Sequence, residues 1–575
     1  MDRYYLNRNF DGTYTLVVYV RRFDSEFAKE FFDSDKVYEI IAKIAATGRQ
    51  IAIKTVRFIL VGGIVISIPF GNLLISGKAK NEQAYAMSYV YFGSVATQIE
   101  NVKKAESALD VVSPSYFNLT DSGSLDLSSI STTFIDTMHA DGLKVVPFLS
   151  NHWDNAKGIA ALNNIEGLSH EIADAVNTYN LDGVNIDVEN VNELYRNSYT
   201  QLVMRIRELI SSDKEVSVAV AANPDGWKIG WQGSYDYEQL GKYADHIFIM
   251  TYDEHYEGGD AGSVAGIDFV RESIEYALKY VPAEKIVMGI PFFGRLWGGN
   301  CNGTGISLSR VDELLDLYDA TTYFDEESKS PVATFTVGKN SPKFTLNGKI
   351  LSEGTYTLWY ENTESLRTKF KLFEEYGLKG VGNWSAGQET DDVWDYYELW
   401  LSGIYFKDIN ENFAKQDIIK LYKEGIMIGE TEDEFYPDRS LTRAEATIIM
   451  ARVMGISESQ QVVYKDTVGH FACGYISAVT KAGLMKGYED GTFRPDNLMS
   501  RQEMAVMLSR IAEPDYHSIS MSYSDVPGNL WSFDEISALT AMGIMRGYED
   551  GTFRPLNSVT RGEMAALINR LEEKG

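Results

Sequence analysis

Cysteine is nearly absent: Cys301 and Cys473 are the two in 575 residues, too few and too far apart for a disulfide framework or a CxxC ligand pair. Histidine is scarce as well. His152, His170, His246 and His255 form no HExxH or close ligand pair, so neither a metal nor a cofactor is expected. Positive charge is in deficit, with 53 Lys and Arg against 82 Asp and Glu for a formal charge of −29, which leaves phosphate-backbone recognition without chain-wide support. Nucleic acid is therefore excluded as an expected partner. What is present, 44% hydrophobic and 23% charged residues, fills real cores and excludes a disordered or polytopic membrane chain. The length exceeds the roughly 250–300 residues at which single cores stop growing, so several domains are expected.

Only one long uncharged run occurs, residues 58–76, close to the roughly 20 residues a bilayer-crossing helix needs. Arg49, Lys54 and Arg57 precede it, which by the positive-inside rule places the N-terminus in the cytoplasm and the rest outside; Lys78 and Lys80 weaken that bias. Ala84 and Ala86 make an A-x-A pattern, so the run reads as a cleaved signal peptide, a retained membrane anchor, or a buried core helix. The lead of residues 1–57 is long for a signal. In it, residues 3–22 alternate around Asp11-Gly12 as a hairpin and residues 27–46 have helical spacing, which reads as a small cytoplasmic unit or a start placed too early.

From residue 87 to 403 short apolar runs alternate with helix-like stretches. Eight runs, at 88–93, 110–117, 143–149, 183–188, 216–221, 246–251, 286–291 and 380–384, predict an α/β fold, a (β/α)8 TIM barrel, with an insertion at about 295–358. Such barrels carry their chemistry at the C-terminal ends of the strands. In the fourth run Asn185, Asp187 and Glu189 alternate with Val184, Ile186 and Val188, so period two puts an amide and two carboxylates on one face. Two neighbouring carboxylates resist ionising together, which lets one act as a general acid near neutral pH.

The segment from Asp182 to Glu189, DGVNIDVE, resembles the DGxxxDxE strand signature of glycoside hydrolase family 18, the chitinase-like barrels. Met250-Thr251-Tyr252-Asp253, Gly289-Ile290-Pro291 and Gly382-Asn383-Trp384 resemble the family's later strands. That resemblance implies substrate-assisted retaining catalysis, in which the substrate's acetamido oxygen is the nucleophile. It implies Glu189 as acid and base, Asp187 and Tyr252 as partners of the acetamido group, Asp253 on substrate hydroxyls, and Trp384 as the floor of the distorted sugar's subsite. Asn185, a candidate substrate-binding residue, departs from the family's usual inner aspartate; an amide there can donate to Asp187 and favour its charged form. The Asn version is similar to the spore-germination and cortex-lytic branch, linked to peptidoglycan. Asn151, with His152, Trp153 and Asp154, follows the third strand and is a candidate cleft lining.

Beyond residue 404 the chain repeats itself about every 60 residues. Copies at 404–457, 462–516 and 521–571 open with Lys407-Asp408, Lys465-Asp466 and Ser524-Asp525, and each later carries Ser or Thr before R-x-E, an N-cap with a capping-box glutamate. Gly487-Tyr488-Glu489-Asp490-Gly491-Thr492-Phe493 recurs from Gly547. These motifs resemble S-layer homology (SLH) modules. The resemblance implies a helical three-module bundle that binds a secondary cell-wall polymer, with Arg443, Arg501 and Arg561 in the grooves and Asp408, Asp466 and Asp525 as matching acidic positions. The alternative is that these residues only cap and stitch helices. The first copy lacks the Tyr and second Gly, which marks its groove as degenerate.

Together these readings predict an extracellular, wall-anchored glycosidase of a Gram-positive-type bacterium acting on N-acetylglucosamine-containing glycan, peptidoglycan first. Chitinase and a non-catalytic glycan-binding surface protein are the alternatives.

Overall fold

The computed structural model describes residues 3–8, 14–20, 51–60, 65–75, 84–105, 108–390, 392–431, 433–514 and 523–572. Contacts divide the chain into two compact units, one of which spans residues 82–404 and contains the barrel.

Eight parallel strands build that barrel: β1 Tyr85–Val90, β2 Val111–Pro114, β3 Phe148–Ser150, β4 Gly183–Asp187, β5 Glu215–Ala221, β6 His246–Met250, β7 Ile286–Pro291 and β8 Gly380–Trp384. Pairing runs from β3 in order to β8, then to β1 and β2. The ring closes through two satellite pieces. Lys144–Val145, just before β3, pairs with β2, and Phe117–Leu119, just after β2, pairs with β3. Pro147 sits in the break of the third strand, where its missing N–H costs no ladder bond and its carbonyl still accepts from Asn185 N at 2.9 Å.

The helices bury one stripe each. Ile165–Thr178, for example, buries Leu168, Ile172, Ala175 and Val176, the spacing of an amphipathic helix on a sheet. Inside the barrel, Met87, Tyr89, Val111, Val146, Phe148, Ala219, Phe248 and Val287 fill the space, with Tyr85, Met250, Tyr252 and Trp384 packed against them. Gly289 makes room for two of these rings: a Cβ there would stand 3.0 Å from both Phe248 and Tyr252.

Between β7 and β8 lies an antiparallel sheet of five strands, Phe293–Gly298, Cys301–Ser307, Thr321–Asp325, Ser330–Val337 and Gly354–Trp359. Tyr318, Phe335 and Tyr356 stack through it at 5.1 and 5.2 Å between centroids.

The C-terminal region is helical and closes on itself. Leu441 N donates to Val559 O, Val559 N to Met499 O and Met499 N to Leu441 O, each at 2.9 Å, so three equivalent residues of the three copies form a cyclic set of backbone bonds. Each second helix begins with a complete capping box, Thr442 with Glu445, Ser500 with Glu503 and Thr560 with Glu563.

The expected membrane-crossing helix over 58–76 needs correction. Its described residues lie in two strands, Ile51–Leu60 and Val65–Ile75, which pair antiparallel. Among the described residues no helix is long and apolar enough to cross a membrane. Ile59, Ile66 and Ile68 favour extended backbone, and Pro69 and Gly71 are poor in helices. The alternating N-terminal segment does pair as expected, Arg3–Arg8 antiparallel to Tyr14–Val20. The helix expected over 27–46 and the turn at Asp11-Gly12 lie outside the described residues.

Candidate active site

Strand β4 ends at the mouth of the barrel, where Asp187 and Glu189 stand together. Asp187 is 6% exposed, and among the described residues its Oδ1 has no hydrogen-bond partner. Burial pushes its carboxyl up to about 7. Glu189 is held well above the ordinary carboxylate range by burial first, then by the negative charges of Asp187 and Asp253. The two act as one titrating pair in which a proton remains near neutral pH. Tyr252, just past β6, is kept protonated by burial and by the Asp187 charge, so its hydroxyl is available as a donor.

The strand end is braced by tyrosines. Tyr199 Oη accepts from Val188 N at 3.3 Å, and Tyr235 donates to Val188 O at 3.2 Å. Asn151 was expected in the cleft lining and is instead fully buried behind Glu189. Its Oδ1 accepts from Glu189 N at 2.9 Å, and its Nδ2 donates to the carbonyls of Glu189 and Asp154, both at 2.8 Å. It clamps the acid's main chain. Asn151→Ala leaves those backbone groups unpaired, so it is expected to cost about 2 kcal/mol of stability and to lower kcat with little change in KM, as thermal unfolding and steady-state rates would show.

Asn185 also departs from expectation. Its amide does not turn to Asp187: Oδ1 accepts from Tyr89 Oη and Nδ2 donates to Ser217 Oγ, each at 2.9 Å. Asp253, in the left-handed region at φ 59°, holds Arg295 bidentately, with Nε to Oδ1 at 2.7 Å and Nη2 to Oδ2 at 2.8 Å. Arg295 comes from the inserted sheet and had no sequence signal, because sequence spacing cannot locate where an insertion folds back.

Trp384, last in β8, packs against Tyr89, Tyr91 and Phe148 at 5.3, 5.6 and 6.0 Å. Tyr91 and Phe92 follow β1 and are 38% and 45% exposed, and Trp153 stands edge-on to Trp231 at 4.9 Å while remaining 51% exposed. The mouth thus presents aromatic faces around the carboxylates, a surface suited to the apolar faces of sugar rings. Tyr91 and Phe92 were missed by sequence reasoning, although their place at a strand's C-terminal end was the available signal.

In the C-terminal bundle, the three arginines expected in ligand grooves are buried between copies. Arg443 donates to Phe493 O at 3.0 Å and pairs with Glu503 at 2.7 Å; Arg501 donates to Phe553 O at 2.9 Å and pairs with Glu563 at 3.4 Å. Arg561 completes the cycle on Phe435 O at 2.9 Å and Glu430 at 3.2 Å. Asp408, Asp466 and Asp525 each accept backbone N–H bonds, from Phe435 and Tyr436, Phe493 and Arg494, and Phe553 and Arg554 respectively. A cavity of about 170 Å³ beside Arg501 is lined also by Phe413, Arg546, Tyr548, Glu563 and Arg570.

A closed parallel barrel with two carboxylates at the C-terminal end of its fourth strand has the architecture of a TIM-barrel glycosidase. Residues 87–389 match the glycosyl hydrolases family 18, and the chain belongs to that family. Residues 405–447, 463–505 and 522–565 match the S-layer homology domain. The barrel is similar to an uncharacterized glycosylase, YvbX, of Bacillus subtilis, at 30% identity over 37% of this chain and 59% of the relative. It is also similar to the cortical fragment-lytic enzyme of Bacillus subtilis, at 28% identity over 40% of this chain and 51% of the relative. The chain thus spans between half and three-fifths of these relatives. Among solved structures, a chitinase from Chromobacterium violaceum shares the fold, with a TM-score of 0.50 at 23% identity, covering 55% of this chain and 99% of that one.

Proposed function

We propose that this chain hydrolyses β-1,4 links of an N-acetylhexosamine polymer, peptidoglycan in preference to chitin, while its SLH bundle holds it to a wall polymer at the cell surface. The observation that supports the reading is the neighbouring pair of buried Asp187 and half-buried Glu189, both carboxyls raised by burial, at a mouth where Tyr91, Phe92 and Trp153 are exposed. In this reading Glu189 protonates the glycosidic oxygen as the bond to the leaving sugar breaks. Asp187 stays anionic beside the acetamido N–H as that group's oxygen closes onto the anomeric carbon, and Tyr252 donates its hydroxyl to the same group. Glu189, now a base, then takes a proton from the water that opens the ring. Trp384 floors the site. Asp253, fixed by Arg295, keeps an exposed edge for a sugar hydroxyl.

Peptidoglycan is favoured by the likeness to the cortical fragment-lytic enzyme and by Asn185. Chitin remains the second substrate, because every group named here addresses the acetamido sugar and none addresses the neighbouring unit's substituents. For the wall polymer, the cavity beside Arg501 sets Arg546 and Arg570 against one carboxylate, Glu563, a balance suited to an anionic ligand. The mechanism is tested by a thiazoline analogue of the cyclised acetamido intermediate. It should inhibit competitively and bind at least about a hundredfold more tightly than substrate. Equal binding of analogue and substrate would count against acetamido participation.

A further inference from the structure

A chain of buried polar groups runs from the site to the opposite end of the barrel, and nothing in the hydrolytic scheme uses it. Glu215 opens β5 at that far end. Its Oε1 accepts from Tyr85 Oη at 3.1 Å and from Ser217 Oγ at 2.9 Å. Ser217 and Asn185 are register partners on β5 and β4, both fully buried, and Ser217 Oγ accepts from Asn185 Nδ2 at 2.9 Å. Asn185 Oδ1 in turn accepts from Tyr89 Oη at 2.9 Å.

While Glu215, which burial lifts to about 7, is ionised, the order of donors is set from the far end. A hydroxyl has one proton to give. Because Ser217 spends its proton on Glu215, it can only accept from Asn185, which turns the amide nitrogen toward β5 and the amide oxygen toward β1. The Tyr89 proton then goes to that oxygen. Asp187, whose Oδ1 has no partner among the described residues, receives nothing from below.

Resting on the proposed hydrolytic role of Asp187 and Glu189, we infer that Glu215 is a positioning residue: through Ser217 and Asn185 it commits the single Tyr89 hydroxyl proton away from Asp187, so that Asp187 shares its proton with Glu189 alone. An aspartate at position 185 could itself take the proton, whereas an amide held by Ser217 cannot.

The charges around the chain are few. Glu215 is faced by Tyr85 from β1 and His246 from β6, the latter with Nε2 at 3.7 Å, and by the charges of Lys379 and Asp245. Tyr89 is faced by Asp187, Glu189, Tyr252 and Tyr199.

The test is the pH profile of kcat for the full chain on a 4-methylumbelliferyl glycoside of an N-acetylglucosamine oligomer, with Ser217→Ala and Glu215→Gln. Ser217→Ala frees the amide to turn and a donor to reach Asp187, which favours its charged form. The acidic limb should move down by about one pH unit, the worth of one hydrogen bond to a carboxylate. Its kcat should fall about tenfold with KM nearly constant, as for a group acting through the catalytic pair. Glu215→Gln keeps the side-chain shape and should move the limb in the same direction by less. If both variants keep the wild-type limb and rate while Glu189→Gln is inactive, the positioning role is overturned and the acid assignment stands. If the wild-type chain itself shows no turnover, both fall.

Discussion

Glu189→Gln is expected to lower kcat by about three orders of magnitude, within the range general acids contribute, while the melting temperature and glycan binding stay near wild type. Glutamine keeps the shape and loses the proton that leaves with the glycosidic oxygen. The pH dependence follows from the pair. Burial lifts Asp187 to about 7 and, with the Asp187 charge, lifts Glu189 well above its ordinary value, so the singly protonated form spans neutral pH. Below the lower limb both carboxyls are protonated and, in the proposed mechanism, Asp187 no longer balances the positive charge of the cyclised acetamido group. Above the upper limb the acid is gone. A bell-shaped kcat profile with its maximum near or above neutrality is therefore expected. In Glu189→Gln the basic limb should vanish along with nearly all of the rate.

The second large effect lies in the C-terminal bundle. Arg501→Ala removes donors from two carbonyls, the buried Phe553 O at 2.9 Å and the part-buried Arg546 O at 2.8 Å, and leaves half-buried Glu563 without its cation between copies. Breaking such a buried pair from one side costs about 3 kcal/mol or more, which should appear as a clear drop in the bundle's melting transition. Arg494, by contrast, is half exposed, stacked on Tyr488 at 4.0 Å and paired with Asp490 at 2.9 Å. Arg494→Ala should cost less than about 1 kcal/mol. Equal destabilisation by both substitutions would show that burial between copies is not what Arg501 contributes.

These two sites illustrate what a sequence can and cannot display. The alternation of Asn185, Asp187 and Glu189 with Val184, Ile186 and Val188 exposes a strand with one polar face, because side-chain direction in a strand follows directly from parity. The eight strands were legible for a different reason, as short apolar runs alternating with helix-like stretches. What parity does not reveal is which hydrogen bonds a polar residue makes once folded. Asn151 and Asn185 both looked like groups for the cleft, yet partners from other strands, Glu189 for one and Tyr89 and Ser217 for the other, take up their amides. The same applies to Arg443, Arg501 and Arg561. Their place after a helix N-cap was evident, but their bonds to the next copy depend on how three repeats close, and Arg501 also lines the cavity.

The apolar stretch at 58–76 failed for a different reason. Length and hydropathy alone do not distinguish one helix from two paired strands, and the β-branched residues at Ile59, Ile66 and Ile68 carried the discriminating information. Arg295 could not have been found at all, since its bond to Asp253 spans an insertion whose path only the fold defines.

The most direct test of the central claim is mass spectrometry of fragments released from purified peptidoglycan and from chitin oligomers by the wild-type chain, with Glu189→Gln as control. Muropeptides ending in reducing N-acetylglucosamine are expected in the wild-type digest and none in the mutant digest. Fragments from chitin alone would move the substrate assignment to chitin, and no fragments from either polymer would contradict the hydrolytic role of Asp187 and Glu189.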